Sequence, residues 1–172
     1  FWKDIDNKKF KKTYFSKYPN TWHQGDYAEI TNKDGFIVHG RSDATLNSGG
    51  IRIGTAELYR VVEKIKNINE CVAVEQRFKN DTRIILFIKL NEYSKFNITL
   101  RELIKNKIKN SLSPKHVPSK ILQVSDIPKT KSGKIVELTI KKIIHNEKIV
   151  NLNSLMNPES LNEFRNRIEL EN

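Results

Sequence analysis

Three observations predict a mixed α+β fold for this chain. Two β-rich runs, Cys71–Phe78 and Arg83–Leu90, are separated only by Lys79-Asn80-Asp81-Thr82, which reads as a hairpin. Apolar residues recur at helical spacing at Leu58, Val61, Val62, Ile65 and Ile68, and again at Leu100, Leu103, Ile104, Ile108 and Leu112. A third β-rich run, Lys120–Val124, follows the second of these stripes. The expected unit is a short three-stranded sheet flanked by helices, with a further β-hairpin ahead of it.

Each element has a local reason. Residues 1–24 are polar with aromatic punctuation at Phe10, Tyr14, Phe15 and Tyr18, and predict a surface helix followed by a loop. Alternation in Tyr27–Thr31 and in Phe36–His39, around a turn ending in Asp34-Gly35, predicts the leading hairpin. The stretch from Gly40 to Gly54 is too polar and too rich in glycine to be core, and predicts a loop. Thr55 is the expected N-cap of the next helix, with Glu57 suited to the positive end of its dipole. Thr99 and Glu102 spell a capping box for the following helix, which Ser113-Pro114 closes. Residues 126–134 form a loop carrying Pro128 and Gly133, and Val136, Ile140, Ile143 and Ile144 mark a last helix. The remaining 146–172 have weak periodicity and are expected to be a packed tail.

Composition excludes several functions. With 172 residues and 37% apolar content the chain supports one ordinary domain plus flanking pieces. No run of 18 apolar residues is present, so no membrane span and no membrane partner are expected. The start, Phe1-Trp2-Lys3-Asp4, reads as a cut into a longer chain. The single cysteine, Cys71, excludes a disulfide scaffold and a cysteine metal site, and suits a reducing, cytoplasmic setting. The net charge of +11 invites a nucleic-acid reading, but the lysines are scattered among acidic residues with no arginine stripe or aromatic platform, so no nucleic-acid partner is expected. His23, His39, His116 and His145 share no spacing for a metal or a triad, and no metal site is expected.

Chemistry concentrates in three segments: Trp22-His23-Gln24-Gly25-Asp26, the stretch from Gly40-Arg41-Ser42-Asp43 to Arg52, and Pro128-Lys129-Thr130-Lys131-Ser132-Gly133-Lys134. Alone, Gly-Asp is an ordinary turn and Ser-Gly-Lys an ordinary loop. The last segment is not a phosphate-binding P-loop, because the leading glycine and the strand–loop–helix spacing are missing. In this order and spacing, however, they resemble the adenylate-forming superfamily of acyl-CoA synthetases, peptide-synthetase adenylation domains and luciferases. The phrases from Gly40 to Asn47 and from Gly50 to Tyr59, the loop Asp126–Lys134 and the Asn157-Pro158-Glu159-Ser160-Leu161 of the tail are most similar to the acetoacetyl-CoA synthetase branch. The likeness runs over nearly the whole chain.

That resemblance implies a small mobile C-terminal domain over 41–145, preceded by the end of the large AMP-binding domain over 1–40 and followed by a tail over 146–172. It implies ATP, Mg2+ and coenzyme A as cofactors, with sites shared with a large N-terminal domain as partner, and a small carboxylate as substrate. Asp26 would accept the ribose hydroxyls of ATP, and Arg41 would hold ribose or phosphates. Arg52 would grip phosphate with its planar fork. Lys134 would be catalytic, bridging carboxylate and α-phosphate during adenylation. Asp43 would be the hinge about which the domain rotates. Ser48, Gly49 and Gly50 would then line the pantetheine tunnel. Lys109 would approach the coenzyme A nucleotide, although its lysine-rich helix face suits a solvated role equally well. Two positions depart from the common pattern: Asn47 stands where many relatives have lysine, and Gln24 where a small hydroxyl residue is usual. The implied activity is acetoacetate–CoA ligation, with the isolated chain inactive. The alternatives are acetyl- or propionyl-CoA synthesis, and a stand-alone small domain acting in trans as a binding module.

Overall fold

The computed structural model describes residues 1–149 and 152–172. Its elements run α1 (Lys8–Tyr14), β1 (Asp26–Ile30), β2 (Phe36–Arg41), β3 (Leu46–Ser48), β4 (Ile51–Ile53), α2 (Thr55–Val62), β5 (Ile68–Phe78), β6 (Asp81–Leu90), α3 (Ile98–Ser111), β7 (Lys120–Gln123) and α4 (Glu137–Ile144). The chain is mixed α+β, as the pattern of its runs predicts. β5 and β6 pair antiparallel, with Cys71 opposite Ile88, and β7 joins β6 in parallel, with Leu86 opposite Ile121. Among the described residues no helix is long and apolar enough to cross a membrane.

The sheet has both faces covered, which is why its strands read as almost unbroken apolar runs. Side chains of successive strand residues point to opposite faces. Cys71, Ala73, Ile84, Leu86, Ile88 and Ile121 therefore meet Leu58 and Val62 of α2 and Leu100, Ile104 and Ile108 of α3. Val72, Val74, Ile85, Phe87 and Leu122 face the other way, onto Ile140 and Ile143 of α4. The tail completes this second core: Leu155, Leu161, Phe164 and Leu170 are buried, and the Phe164 ring meets Phe87 edge-on at 4.7 Å.

Several local expectations are corrected. α2 ends at Val62, and Ile65 and Ile68 reach the core through tight turns that lead into β5. Its N-cap is Gly54; Thr55 lies inside the first turn and is buried. The capping box is replaced by Asn97, whose side chain accepts from the Leu100 N–H at 2.9 Å, while Glu102 pairs with Lys105 at 3.0 Å. Leu103 points to solvent, 46% exposed. The glycine-rich stretch after Gly40 is not wholly loop: β3 and β4 form a hairpin whose ends, Leu46 and Ile53, are fully buried. Two inward apolar residues per hairpin are too few to show as a pattern against its polar surroundings.

Replacing Phe164 with Ala should lower the unfolding free energy of the chain by about 3–5 kcal/mol, the usual cost of emptying an aromatic core position. Urea denaturation followed by circular dichroism checks it. A loss under about 1 kcal/mol, typical of a surface substitution, would show that the tail merely rests on the sheet.

Candidate functional site

Asp26, Arg41 and Asp43 are brought together where β1 and β2 end. Asp26 opens β1 directly opposite Arg41 at the end of β2. The Arg41 guanidinium donates through Nε and Nη2 to the two carboxylate oxygens of Asp43, at 3.1 and 3.0 Å, and through Nη1 to the Gln24 carbonyl at 3.1 Å. Gly25 makes this approach possible. Its φ is +91°, and a Cβ there would stand 2.9 Å from Arg41 Nη2. Gln24 takes part through its backbone, so the unusual side chain at that position does not alter the contact. The Asp26 carboxylate lies 3.9 Å from Arg41 Nη1 and accepts no hydrogen bond among the described residues, leaving its oxygens available to a pair of hydroxyls. A cleft of about 710 Å³ opens here, bordered by Trp22, His23, Gly25, Arg41 and Asp43 together with residues of α1.

Of the predicted residues, Arg41 and Asp43 border this cleft, with Asp26 beside Arg41, and the others stand elsewhere. Arg52 projects from β4 opposite Asn47, and its guanidinium has no hydrogen-bond or ion-pair partner among the described residues. Ser48 ends β3, and Gly49 and Gly50 form the turn with φ of +54° and +79°, a double left-handed geometry that suits glycine. The hairpin is held to the sheet by the Asn47 N–H donating to Glu75 at 2.8 Å and by Thr82 donating to the Asn47 carbonyl at 3.0 Å. Lys109 stands exposed in the last turn of α3. Sequence reasoning missed Lys115, whose Nζ overlies the turn, 2.7 Å from where a Gly49 Cβ would sit. No spacing rule connects those two positions.

Lys134 is exposed at the end of a braced loop. Within the loop, Thr130 and Lys134 exchange backbone contacts, N–H to carbonyl at 2.8 Å and Lys134 N–H to Thr130 Oγ1 at 3.1 Å. The tail holds the loop's entry: Lys131 N–H donates to the Ser154 carbonyl, Met156 N–H to the Lys129 carbonyl, and Lys129 N–H to Asn157 Oδ1. The Lys129 ammonium is taken up by Glu70. The Lys134 ammonium has no acidic partner among the described residues.

Two further clusters escaped sequence reasoning. Glu57 pairs with His39 Nδ1 at 3.0 Å and His116 Nε2 at 3.2 Å, joining β2, α2 and the turn after α3. Glu137, in the first turn of α4, accepts a hydrogen bond from the Tyr59 hydroxyl, and the Thr55 hydroxyl is near enough to act on its charge. Burial first, and then the charge of Asp43, push its carboxyl above the ordinary range, while the two hydroxyls pull it back. Burial likewise raises the Tyr59 hydroxyl well above its usual value.

The Arg41 hydrogen bonds hold the Asp43 carboxyl below the ordinary aspartate range. The folded chain thus favours the ionised form, and the resulting stability is present above the ordinary range and lost as pH falls through the lowered value. Both partners are about half exposed, so the pair contributes less than about 1 kcal/mol. NMR titration of the Asp43 carboxyl should show the depressed value, returning to the ordinary range in Arg41→Ala; equal values in the two proteins would dissolve the pairing.

Comparison with known proteins adds to this geometry. Residues 60–134 match the family of AMP-binding enzyme C-terminal domains. An acetoacetyl-coenzyme A synthetase of Rhizobium meliloti (strain 1021) is 45% identical over 170 residues, 99% of this chain and 26% of its own length. The acetoacetyl-CoA synthetase of Xenopus tropicalis is 42% identical over 174 residues, covering 100% of this chain and 26% of its own. The solved acetoacetyl-CoA synthetase from Streptomyces lividans superposes with a TM-score of 0.88 at 32% identity, over 95% of this chain and 25% of that one. The chain spans about a quarter of the length of these relatives. By sequence and by fold, the chain is similar to acetoacetyl-CoA synthetases over nearly all of its length, and its residues 60–134 carry the AMP-binding enzyme C-terminal domain.

Proposed function

We propose that the chain is the C-terminal portion of an ATP-dependent acid–CoA ligase that makes acetoacetyl-CoA from acetoacetate, ATP and coenzyme A. The observation that carries this reading is an exposed Lys134, without an acidic partner among the described residues, on a loop pinned to the core, in a chain that matches acetoacetyl-CoA synthetases over almost its whole length. In the first half-reaction a carboxylate oxygen attacks the α-phosphorus of ATP and pyrophosphate leaves. Lys134 brings a positive charge to the oxygens on which negative charge gathers. Asp26 receives the ribose hydroxyls, and Arg41 and Arg52 meet ribose or phosphate oxygens. In the second, the coenzyme A thiol loses its proton, its sulfur attacks the acyl carbon, and AMP leaves.

Between the two, residues 41–145 rotate about Asp43 relative to 1–40, and the tail 146–172 travels with the rotating part because it shares its core. The turn at Ser48, Gly49 and Gly50 then lines the pantetheine path, with Lys109 near the nucleotide of coenzyme A. Among the described residues no group of three acids, histidines or cysteines is placed to hold a metal ion. Magnesium would come bound to the phosphates of ATP. The rest of the nucleotide site and the acyl pocket belong to the large N-terminal domain, so acetoacetate is favoured over acetate or propionate by the relatives alone. The single buried Cys71 suits a cytoplasmic setting.

In the full-length enzyme, Lys134→Ala should lower ATP–pyrophosphate exchange by about 10²–10³-fold, the usual effect of losing one transition-state donor. Thioester formation from preformed acyl-adenylate should fall far less. The 172-residue chain alone should show no exchange, and tight ATP binding by it would instead support a small domain that works by itself.

A further inference from the structure

α4 begins without a side-chain cap: Val136 precedes it and offers none. A helix end in that state is free to fray unless something else holds it. Here the hold comes from Glu137, which turns away from its own helix end toward α2. The Tyr59 hydroxyl donates to it and itself accepts the Ala73 N–H of β5 at 3.2 Å. The hydroxyl of Thr55, buried in the first turn of α2, is near enough to act on the same carboxyl. Thr55 also touches the chain entering the proposed hinge, since its Oγ1 lies 3.2 Å from where a Cβ on Gly40 would stand. Asp43 is near enough for its charge to act on Glu137. One carboxylate therefore sits where the hinge, α2 and the segment leaving Lys134 converge, and Lys134 lies three residues before it. The entry of the Lys134 loop is pinned by the tail, its exit strand is joined back to the entry by the Val136 N–H donating to the Pro128 carbonyl at 3.2 Å, and Glu137 ties the helix that follows to α2.

We infer that Glu137 is a positioning residue for the first half-reaction: held by Tyr59, it fixes the helix after the Lys134 loop to the helix that leaves the hinge, so that Lys134 arrives at the reacting oxygens as part of a rigid body. This rests on the proposed adenylation role of Lys134. Glu137 touches neither substrate nor the reacting atoms on this account. Its effect is to remove backbone play from the lysine, and a displacement of about 1 Å of a positioned group costs on the order of 10²-fold in rate.

The test is a comparison of Glu137→Ala, Glu137→Gln, Tyr59→Phe and Lys134→Ala in the full-length enzyme. ATP–pyrophosphate exchange, thioester formation from preformed acyl-adenylate and melting temperature are read for each. Glu137→Ala should lower exchange by about tenfold to 10²-fold while leaving thioester formation within about twofold of the parent. Glu137→Gln, which still accepts from the Tyr59 hydroxyl, should recover most of the exchange. Tyr59→Phe removes one hydroxyl without emptying the site and should shift exchange in the same direction by less. Equal losses in both half-reactions, tracking a fall in melting temperature, would reduce Glu137 to a structural role and overturn the inference. If Lys134→Ala abolishes exchange while Glu137→Ala and Tyr59→Phe leave it intact, the positioning role fails and the proposed function stands. If Lys134→Ala leaves exchange intact, the proposed role of Lys134 fails, and the positioning role fails with it.

Discussion

Strand β6 pairs with β5 on one side and β7 on the other, and it is buried on both faces. Ile84, Leu86 and Ile88 go to one core, Ile85 and Phe87 to the other. A slip of one residue in its pairing would exchange these sets and unmake both cores at once, so the register is strongly specified. The functional segments hang from this register. Glu75 and Thr82, near the end of the β5–β6 hairpin, hold the β3–β4 turn. Ala73 of β5 holds Tyr59, and the tail that braces the Lys134 loop is seated against Phe87.

The joint between the leading hairpin and this core is of a different kind. β1 and β2 are largely exposed, with Ile30, Phe36 and Val38 turned outward. They meet the rest of the chain through Arg41 with Asp43 and through His39 with Glu57. The Arg41–Asp43 pair, about half exposed, is worth about 0–1 kcal/mol, whereas burying one large apolar side chain contributes about 1.5–3 kcal/mol. Exchanging one arrangement of that pair for another therefore costs little beside the stability of either core. On the proposed reading, domain alternation needs that ratio: a body that stays folded, on a connection that does not hold it in one orientation.

The sheet and its helices were legible because each carries many apolar residues in a fixed period, and the antiparallel hairpin Cys71–Leu90 is local in sequence. Boundaries were less so. Thr55 and Thr99 look like caps, but burial of Thr55 and the reach of Asn97 decided otherwise. The β3–β4 hairpin stayed hidden because its strands have three residues each, of which only Leu46 and Ile53 are buried. The candidate site divides the same way. Asp26, Arg41, Asp43 and Lys134 stand in motifs whose spacing is visible in the chain. Glu137 and Tyr59 are 78 positions apart, and Lys115 and Gly49 meet only through the fold. No periodicity links such residues, and only the packing of α2, α3 and α4 about one sheet makes them neighbours.

The lysines divide between charges bound into the fold and charges left open. Lys89, Lys129 and Lys141 are bound by Asp126, Glu70 and Glu75, so their ammonium groups serve the fold. A cation meant for negative charge that appears only in a transition state must not be paired in the resting protein, since breaking that pair would add to the barrier. It must also not be loose in its backbone, because every degree of freedom frozen at the moment of reaction adds to the barrier as well. Lys134 meets both conditions: its ammonium is unpartnered among the described residues, while its backbone is fixed to Thr130 on one side and leads to Glu137 on the other. What remains to be ordered is the lysine's own stem, about 2 kcal/mol of rotamer freedom. On the proposed reading, the bracing of this loop matters as much as the charge it carries.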